Sequence, residues 1–303
     1  MIKEKEDVTV VLPVKNGGAF IAEQLTALCG QQTDVVWGLL VVDNGSSDDT
    51  LGIVKSFQEK FSVPVRILDA SDARGLSEVR NAGVGASEAD KILMCDADDV
   101  VDRLWVDRLG SALDDFHIVA GSIDHELLND GALRYRGRGH AARRPPVNQG
   151  FLPFAPGANF GFRRSLFERL LGFDRTIGAA EDVDFSWRAQ IAGYELGFEP
   201  NAIVHYRFHS NASAVFRQAF GYGRADARLQ RKFSALGVAK RGVSRSVRQW
   251  FWLFRNVGSV RSAGDKKLGW LRELGYNAGR MRATFELEAF RQRKRANAMI
   301  KHH

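Results

Sequence analysis

Several things are scarce in this 303-residue chain. It has two cysteines, Cys29 and Cys95, too few for a disulfide framework or a cysteine-built zinc site. Both sit in apolar contexts, where a cysteine serves as a small buried side chain. No run approaches the roughly 20 apolar residues a membrane span needs. The opening "MIKEKEDVTVVLPV" lacks the apolar core and small-residue cleavage site of a signal peptide, and the expected location is the cytoplasm. There are no repeats and no low-complexity tract. A P-loop, a His-Glu-x-x-His and a Gly-x-Ser-x-Gly are all missing. "GVGASE" and "GYGRAD" follow no strand and so are not dinucleotide fingerprints.

What is present is ordinary in amount and uneven in placement. Apolar residues make up 45% and charged residues 26%, as in a globular protein. Residues 224–303 hold 20 Lys and Arg against 5 Asp and Glu, a net +15, whereas residues 1–223 hold 23 against 31, a net −8. Such a split points to two regions with different jobs.

The first half alternates short apolar runs with helix-like segments. Strands are expected at 8–14, 35–43, 63–70, 90–96, 117–124 and 202–208. Helices are expected at 19–31, 48–60, 75–87, 103–116, 163–173 and 181–194, with Ser46 and Ser47 as cap types for the second. Apolar strands separated by helices mean βαβ units and a mainly parallel sheet. Ligands of such sheets bind beyond the carboxyl ends of the strands. Residues 125–156 read as a loop over that face, and everything after about 213 reads as helical, basic and aromatic.

Four stretches could carry chemistry. In "CDADDV", Asp96, Asp98 and Asp99 follow an apolar strand. Like charges this close repel unless a cation neutralises them, and hard oxygens suit Mg²⁺ or Mn²⁺; first-turn acids on the next helix are the other reading. In "VVDNGSSDDT", Asp43 ends a strand before a glycine turn, placed either to take a ribose hydroxyl or base N–H, or to close the turn. "ARGLSEVRNAG" offers Arg74, Arg80 and Asn81 to a diphosphate, or to solvent. "GAAEDVDFSWR" opens a helix on Glu181, Asp182 and Asp184, where a carboxylate could take a hydroxyl proton or simply face the helix dipole.

In that order, "VVLPVKNGG", "VVDNGSSDDT", "RNAG", Asp96-Ala97-Asp98, "GANFGFRRSLFERLLGFD" and "EDVDFSWRAQIAGY" resemble glycosyltransferase family 2 over about residues 8–210. The resemblance implies a GT-A fold, α/β and Rossmann-like, over residues 1–215, with a basic helical region at 216–303. It implies an inverting transfer from a nucleoside-diphosphate sugar, UDP by default, with Mn²⁺ or Mg²⁺ as cofactor. Pro13, Val14, Lys15 and Asp43 would hold the base and ribose, Arg74 and Arg80 would flank the base and diphosphate, and Asp96 would approach the ribose. Asp98 would meet the metal with Asp99 as co-ligand; Asp182 would be the base and Glu181 would orient the acceptor. Related folds sometimes place a histidine after the acid helix as a metal ligand or diphosphate contact, which makes His205 and His209 candidates; a strand-end histidine is more often a structural hydrogen-bonder.

The Gln-x-x-Arg-Trp signature of processive members is missing, which argues for adding one or a few sugars. The acceptor implied is a saccharide or lipid-linked glycan in envelope or capsule synthesis. The tail, with Trp250, Phe251, Trp252 and Phe254 among arginines, reads either as helices packed on the catalytic domain or as a peripheral contact with the inner membrane face. No nucleic-acid motif accompanies the charge, and no nucleic-acid partner is expected. Two other readings remain. A sugar-1-phosphate nucleotidyltransferase would need a Gly- and Arg-rich loop that "PVKNGGAF" does not match. A membrane- or nucleic-acid-docking protein with a degenerate transferase domain would not need Asp98 and Asp182.

Overall fold

Four parallel strands frame the molecule. In the computed structural model, which describes residues 6–129, 144–239, 241–262 and 264–300 (backbone alone at 243 and 290–300), β1 (Val8–Val14), β2 (Trp37–Asp43), β3 (Val65–Asp69) and β4 (Lys91–Cys95) lie in the order β3-β2-β1-β4. β1 and β2 are buried along their whole length, which is why they read as continuous apolar runs. Alternate residues serve opposite faces. Val8, Val10 and Leu12 join the core beneath α1 (Ile21–Cys29) and α4 (Trp105–Asp115), while Val11, Leu40 and Val42 join the core beneath α3 (Leu76–Gly85). The remaining crossover helix is α2 (Thr50–Gln58). Because the chain goes from β1 to β2 and β3 on one side and returns with β4 on the other, a crevice opens between the carboxyl ends of β1 and β4.

Beyond β4 the sheet turns mixed. β7 (Asn159–Arg163) runs antiparallel to both β4 and β6 (Ile118–Asp124), β8 (Leu196–His205) runs parallel to β6, and the two-residue β5 (Val100–Val101) runs antiparallel to β8. The expected strand at 202–208 starts earlier and ends at His205, with a register shift beside Gly121 and Ser122. β7 was not anticipated: "NFGFR" is short, lacks β-branched residues and adjoins a helical pattern. That helix, α5 (Arg164–Arg169), is shorter than the expected 163–173. It stops because Leu171 and Gly172 take positive φ, a turn held by Asn81, whose amide donates to Phe173 O at 3.0 Å and accepts from Phe173 N at 2.9 Å. Asn81 is therefore part of the scaffold. Part of the expected 125–156 loop lies outside the described residues.

α6 (Glu181–Ile191) leads through β8 to α7 (Ala212–Lys232), α8 (Val243–Arg255) and α9 (Asp265–Ile300). Asn211 caps α7 by accepting from Ser213 N and Ala214 N. α7 is seated on the sheet domain: Ala225, Leu229 and Phe233 share an apolar cluster with Val183 and Trp187 of α6. α7 and α9 touch backbone to backbone. A Cβ on Gly223 would fall 2.0 Å from Tyr276 O, and one on Gly279 would fall 2.1 Å from Phe220 O. Glycine at these positions lets the two helices close up.

Candidate active site

The carboxyl edge of the parallel strands is stitched together by turns. After β1, Asn16 adopts φ 52°, and after β2, Gly45 adopts φ 68°. Asn16 N donates to Ser46 Oγ at 2.9 Å and Ser47 N donates to Asn16 Oδ1 at 2.8 Å. Gly17 N reaches Thr50 Oγ1 and Gly18 N reaches Asp48 Oδ2, at 2.9 and 3.0 Å. Ser46 and Ser47 thus tie two loops together instead of capping α2, whose N-cap is Asp49. Asp43 is buried, and both its oxygens accept from Ser46 N.

Below this edge lies a cleft of about 1540 Å³. Its floor is organised by Arg80, which is 1% exposed. One guanidinium nitrogen donates to Glu181 Oε1 at 2.6 Å; the other donates to Asp96 Oδ1 at 3.0 Å and to Gly157 O at 2.9 Å. Gly157 N in turn donates to Asp182 Oδ2 at 2.6 Å, and Val183 N donates to Asp182 Oδ1 at 2.8 Å. A single arginine from α3 therefore joins the end of β4 to the first turn of α6, 101 residues apart from Glu181 in sequence. A Cβ on Gly157 would lie 2.5 Å from the guanidinium, so only glycine allows this approach.

The carboxylates are held against their ordinary behaviour. Burial pushes Glu181 up to about 7, with Arg80 pulling it down and Asp182 pushing it further up. Burial also raises Asp182, against the pull of Arg80 and of its two amide donors. Glu181 Oε2 is buried without a hydrogen-bond partner. Asp184, also in the first turn, is structural: it pairs with Arg188 at 2.7 Å and Lys232 at 2.6 Å.

The loop from Asp96 to Val101 is pinned by two residues that sequence reading passed over. Buried Gln24 donates to Asp96 O and accepts from Val101 N, both at 3.0 Å. Arg207 gives its backbone N–H to Asp99 Oδ1 at 2.8 Å and its Nε–H to Asp98 O at 3.0 Å. Burial and the neighbouring Asp96 push Asp98 up to about 6. Asp99 is raised as well, through burial, Asp98 and Asp96, and its Oδ2 is buried without a partner. Hard carboxylate oxygens whose charge is disfavoured by burial and by like neighbours suit a hard divalent cation, although Asp96 already pairs with Arg80. Among the described residues, no group of three or more His, Cys, Asp or Glu is already arranged around a metal position.

The expected site residues fall into two sets. Arg80, Asp96, Asp98, Glu181, Asp182 and His209 line the cleft. Pro13 and Val14 are buried at the end of β1, Lys15 and Arg74 are exposed at the strand edge, and Asp43 and Asp99 are buried behind it. His205 turns to Asp124, with Nδ1 2.7 Å from Oδ2. The chemistry of Arg207 was hidden by the histidines on either side of it, and Gln24 gave no signal beyond a polar residue on an apolar helix face.

Known proteins share both sequence and shape with this chain. The model of "Glycosyl transferase family 2" matches residues 9–171 and that of "Glycosyl transferase family group 2" matches residues 91–271. The pre-mycofactocin glycosyltransferase of Mycobacterium tuberculosis is 28% identical over 233 residues, 72% of this chain and 47% of that protein. The succinoglycan biosynthesis protein ExoO of Rhizobium meliloti is 28% identical over 266 residues, 82% of this chain and 74% of that protein. The chain spans about half the length of the first of these relatives. The mannosyltransferase PcManGT of Pyrobaculum calidifontis, solved with GDP-Man and Mn²⁺, superposes with TM-score 0.61 at 16% identity, covering 94% of this chain and 88% of that one. A likeness at that identity speaks for the fold, which is GT-A. With more than half its length matched by the family model, the chain belongs to glycosyl transferase family 2.

Proposed function

We propose that the protein is an inverting glycosyltransferase that moves a sugar from a nucleoside-diphosphate donor to a hydroxyl of a saccharide or lipid-linked acceptor, in cell-envelope or capsule polysaccharide synthesis. The observation that carries this reading is the Arg80 bridge, which brings the strand-end carboxylates and the α6 carboxylates to one cleft. Asp182, held by two amides and raised by burial, accepts the proton of the acceptor hydroxyl. Glu181 orients that hydroxyl through Oε2, the oxygen Arg80 leaves unused. Attack from the α6 side expels the nucleoside diphosphate on the other face of the sugar, inverting the anomeric carbon. Pro13, Val14, Lys15, Asp43 and Arg74 border the base and ribose along the stitched strand edge, with UDP the first donor to try. Neighbouring folds support a nucleotide-sugar donor without choosing the base: TarS of Staphylococcus aureus was solved with UDP and with UDP-GlcNAc, and PcManGT with GDP-Man.

Mn²⁺ or Mg²⁺ would be held by Asp98, with Asp96 and Asp99 beside it and His209 on the same cleft wall. Such a cation, when bound, neutralises charge building on the departing diphosphate. The setting we assign is the inner membrane face. α8 carries no acidic residue and exposes Phe251, Trp252 and Phe254 beside Arg248 and Arg255, a composition that suits an anionic lipid surface. No helix of the described residues is long and apolar enough to cross a membrane.

The test is a hydrolysis and transfer screen across UDP-, TDP- and GDP-sugars with Mn²⁺ or Mg²⁺, repeated with EDTA and in Asp98→Ala and Asp182→Ala. Turnover is expected to vanish in both variants and with EDTA, with nucleotide affinity hurt mainly in the first. Full activity in both variants would overturn the assignment.

A further inference from the structure

The cleft has a second end, and its chemistry is the reverse of the first. Among the described residues, the wall supplied by α7, α8, α9, Ala239, Arg241 and Gly242 holds five arginines and two carboxylates. Both carboxylates are engaged. Asp226 accepts from the Tyr276 hydroxyl at 2.5 Å and from Asn148 at 3.0 Å, and Glu273 pairs with Arg272 at 3.1 Å.

The other four arginines, Arg217, Arg241, Arg245 and Arg280, have no carboxylate within ion-pair distance among the described residues. The partners of two of them are neutral. Arg241 donates to Asn277 Oδ1 at 3.2 Å and Arg280 donates to Gln230 Oε1 at 3.0 Å. Both guanidinium groups lie against the ring of Tyr276, at 5.5 and 5.9 Å from its centroid. Arg241 Nε is buried without a partner. Burial holds the Arg241 guanidinium below its ordinary pKa, and Arg280 and Arg245 push the same way, against the opposite pull of Tyr276 and Glu273. Cations that repel one another, with Arg241 and Arg280 hydrogen-bonded to amides and Glu273 already paired to Arg272, have room for a further anion.

The anion's class follows from the donors. A guanidinium is a planar fork matched to carboxylate or phosphate oxygens. Several forks converging from three elements have more N–H groups than one carboxylate can accept, whereas a phosphate or diphosphate offers many oxygens and at least two charges. We propose that the acceptor carries a phosphate or diphosphate group, seated between Arg241, Arg245 and Arg280 at the helical end of the cleft. This rests on the transferase reading and names the acceptor's chemistry. It also accounts for the position of α8, which presents Arg245 to the cleft and its aromatic side chains to the outside.

The experiment is calorimetry with metal removed by EDTA, so that the carboxylate end cannot hold a diphosphate through a cation. Inorganic diphosphate and farnesyl diphosphate are the probes, and phosphatidylglycerol vesicles form a third arm. Both diphosphates are expected to bind the wild type. Arg245→Gln, at an exposed position that should not disturb folding, should weaken each about tenfold to a hundredfold, as for a lost charge-assisted hydrogen bond. Arg241→Gln should act in the same direction. Tighter binding of farnesyl diphosphate than of inorganic diphosphate marks a lipid-linked source; equal binding marks a soluble phosphorylated one. Absence of diphosphate binding, or affinities unchanged in both variants, overturns the proposal. So does an arginine dependence seen only with the vesicles. UDP with Mn²⁺ is titrated separately into the wild type: if it binds while the diphosphates do not, the acceptor inference alone has failed.

Discussion

The two ends of the cleft carry opposite charge and are built in opposite ways. At the sheet end, four carboxylates and one arginine line the wall; at the helical end, five arginines and two carboxylates do. The sheet end is fixed by backbone: strand ends, linked turns, amides on Asp182, and a buried arginine held by three hydrogen bonds. The helical end is fixed by helix packing through glycines, and its charges stand on long side chains. Each end lacks the counter-charge the other has in excess, yet their charged groups are not paired across the cleft. The difference is what the proposed function needs: a carboxylate end to take the donor diphosphate through a cation and an arginine end to take an anion without one.

Removing Arg80 should break the comparison most severely. Arg80→Met leaves Glu181 and Asp96 facing each other's charge in a buried site, and losing one partner of such a pair costs about 3–5 kcal/mol. Denaturant unfolding should show that loss together with abolished transfer, whereas Arg245→Gln on exposed α8 should cost no more than about 0.5 kcal/mol. Equal costs at the two positions would erase the distinction between a rigid end and an adaptable one.

Gly223→Val separates the ends by structure. Its side chain would collide with Tyr276 O and part α7 from α9, at about 1–3 kcal/mol for forced overpacking. Diphosphate binding without metal should fall, while UDP binding with Mn²⁺ should stay near wild type.

The same contrast governs what could be read from the sequence. The sheet end was legible because each of its parts is local. Apolar runs gave β1, β2 and β4, and the acids stand where those strands or the next helix must end. That logic put forward Asp96, Asp98, Asp99, Glu181, Asp182 and Asp184 together, and the family resemblance gave them roles; Asp96, Asp98, Glu181 and Asp182 line the cleft, whereas Asp99 is buried behind the edge and Asp184 pairs with Arg188 and Lys232. Long-range partnership was not legible. Arg80 was read as a donor-side grip, but nothing local says that its guanidinium is enclosed by Gly157, Glu181 and Asp96. β7 was missed because its burial comes from β4 and β6 on either side, and not from its own composition. At the helical end, Arg245 is one of the arginines of a tail that reads either as helices packed on the catalytic domain or as a membrane contact. That it faces a cleft depends on Gly223, Gly275 and Gly279 bringing α7 and α9 together, and spacing alone did not reveal this.

A smaller effect should appear at the membrane. Phe251→Ser with Phe254→Ser removes two exposed rings from α8 and should reduce sedimentation with phosphatidylglycerol vesicles severalfold, with phosphatidylcholine vesicles weak for both proteins. Transfer to a soluble acceptor should persist. Unchanged sedimentation would assign the rings to some other contact.

The finest effect is on pH, and it separates catalysis from stability at one residue. Burial raises both Glu181 and Asp182, Glu181 to about 7. The base must be ionised to accept a proton, so the rate should fall on acidification through the raised values of the pair, well above the ordinary carboxylate range. Glu181→Gln removes a neighbouring negative charge, so whatever rate survives should persist to lower pH. Stability runs the other way. A group whose pKa rises on folding contributes most below its unfolded value, here 4.5, and that contribution is lost as the pH climbs through about 7. Wild type should therefore lose stability relative to Glu181→Gln as the pH is raised across that window, while gaining activity over the same range. Denaturant midpoints and rate profiles collected on both proteins at matched pH would show the two curves crossing. If the acid limbs of the two proteins coincided below about pH 5, in the range of an ordinary exposed carboxylate, the base would have to lie outside the buried pair.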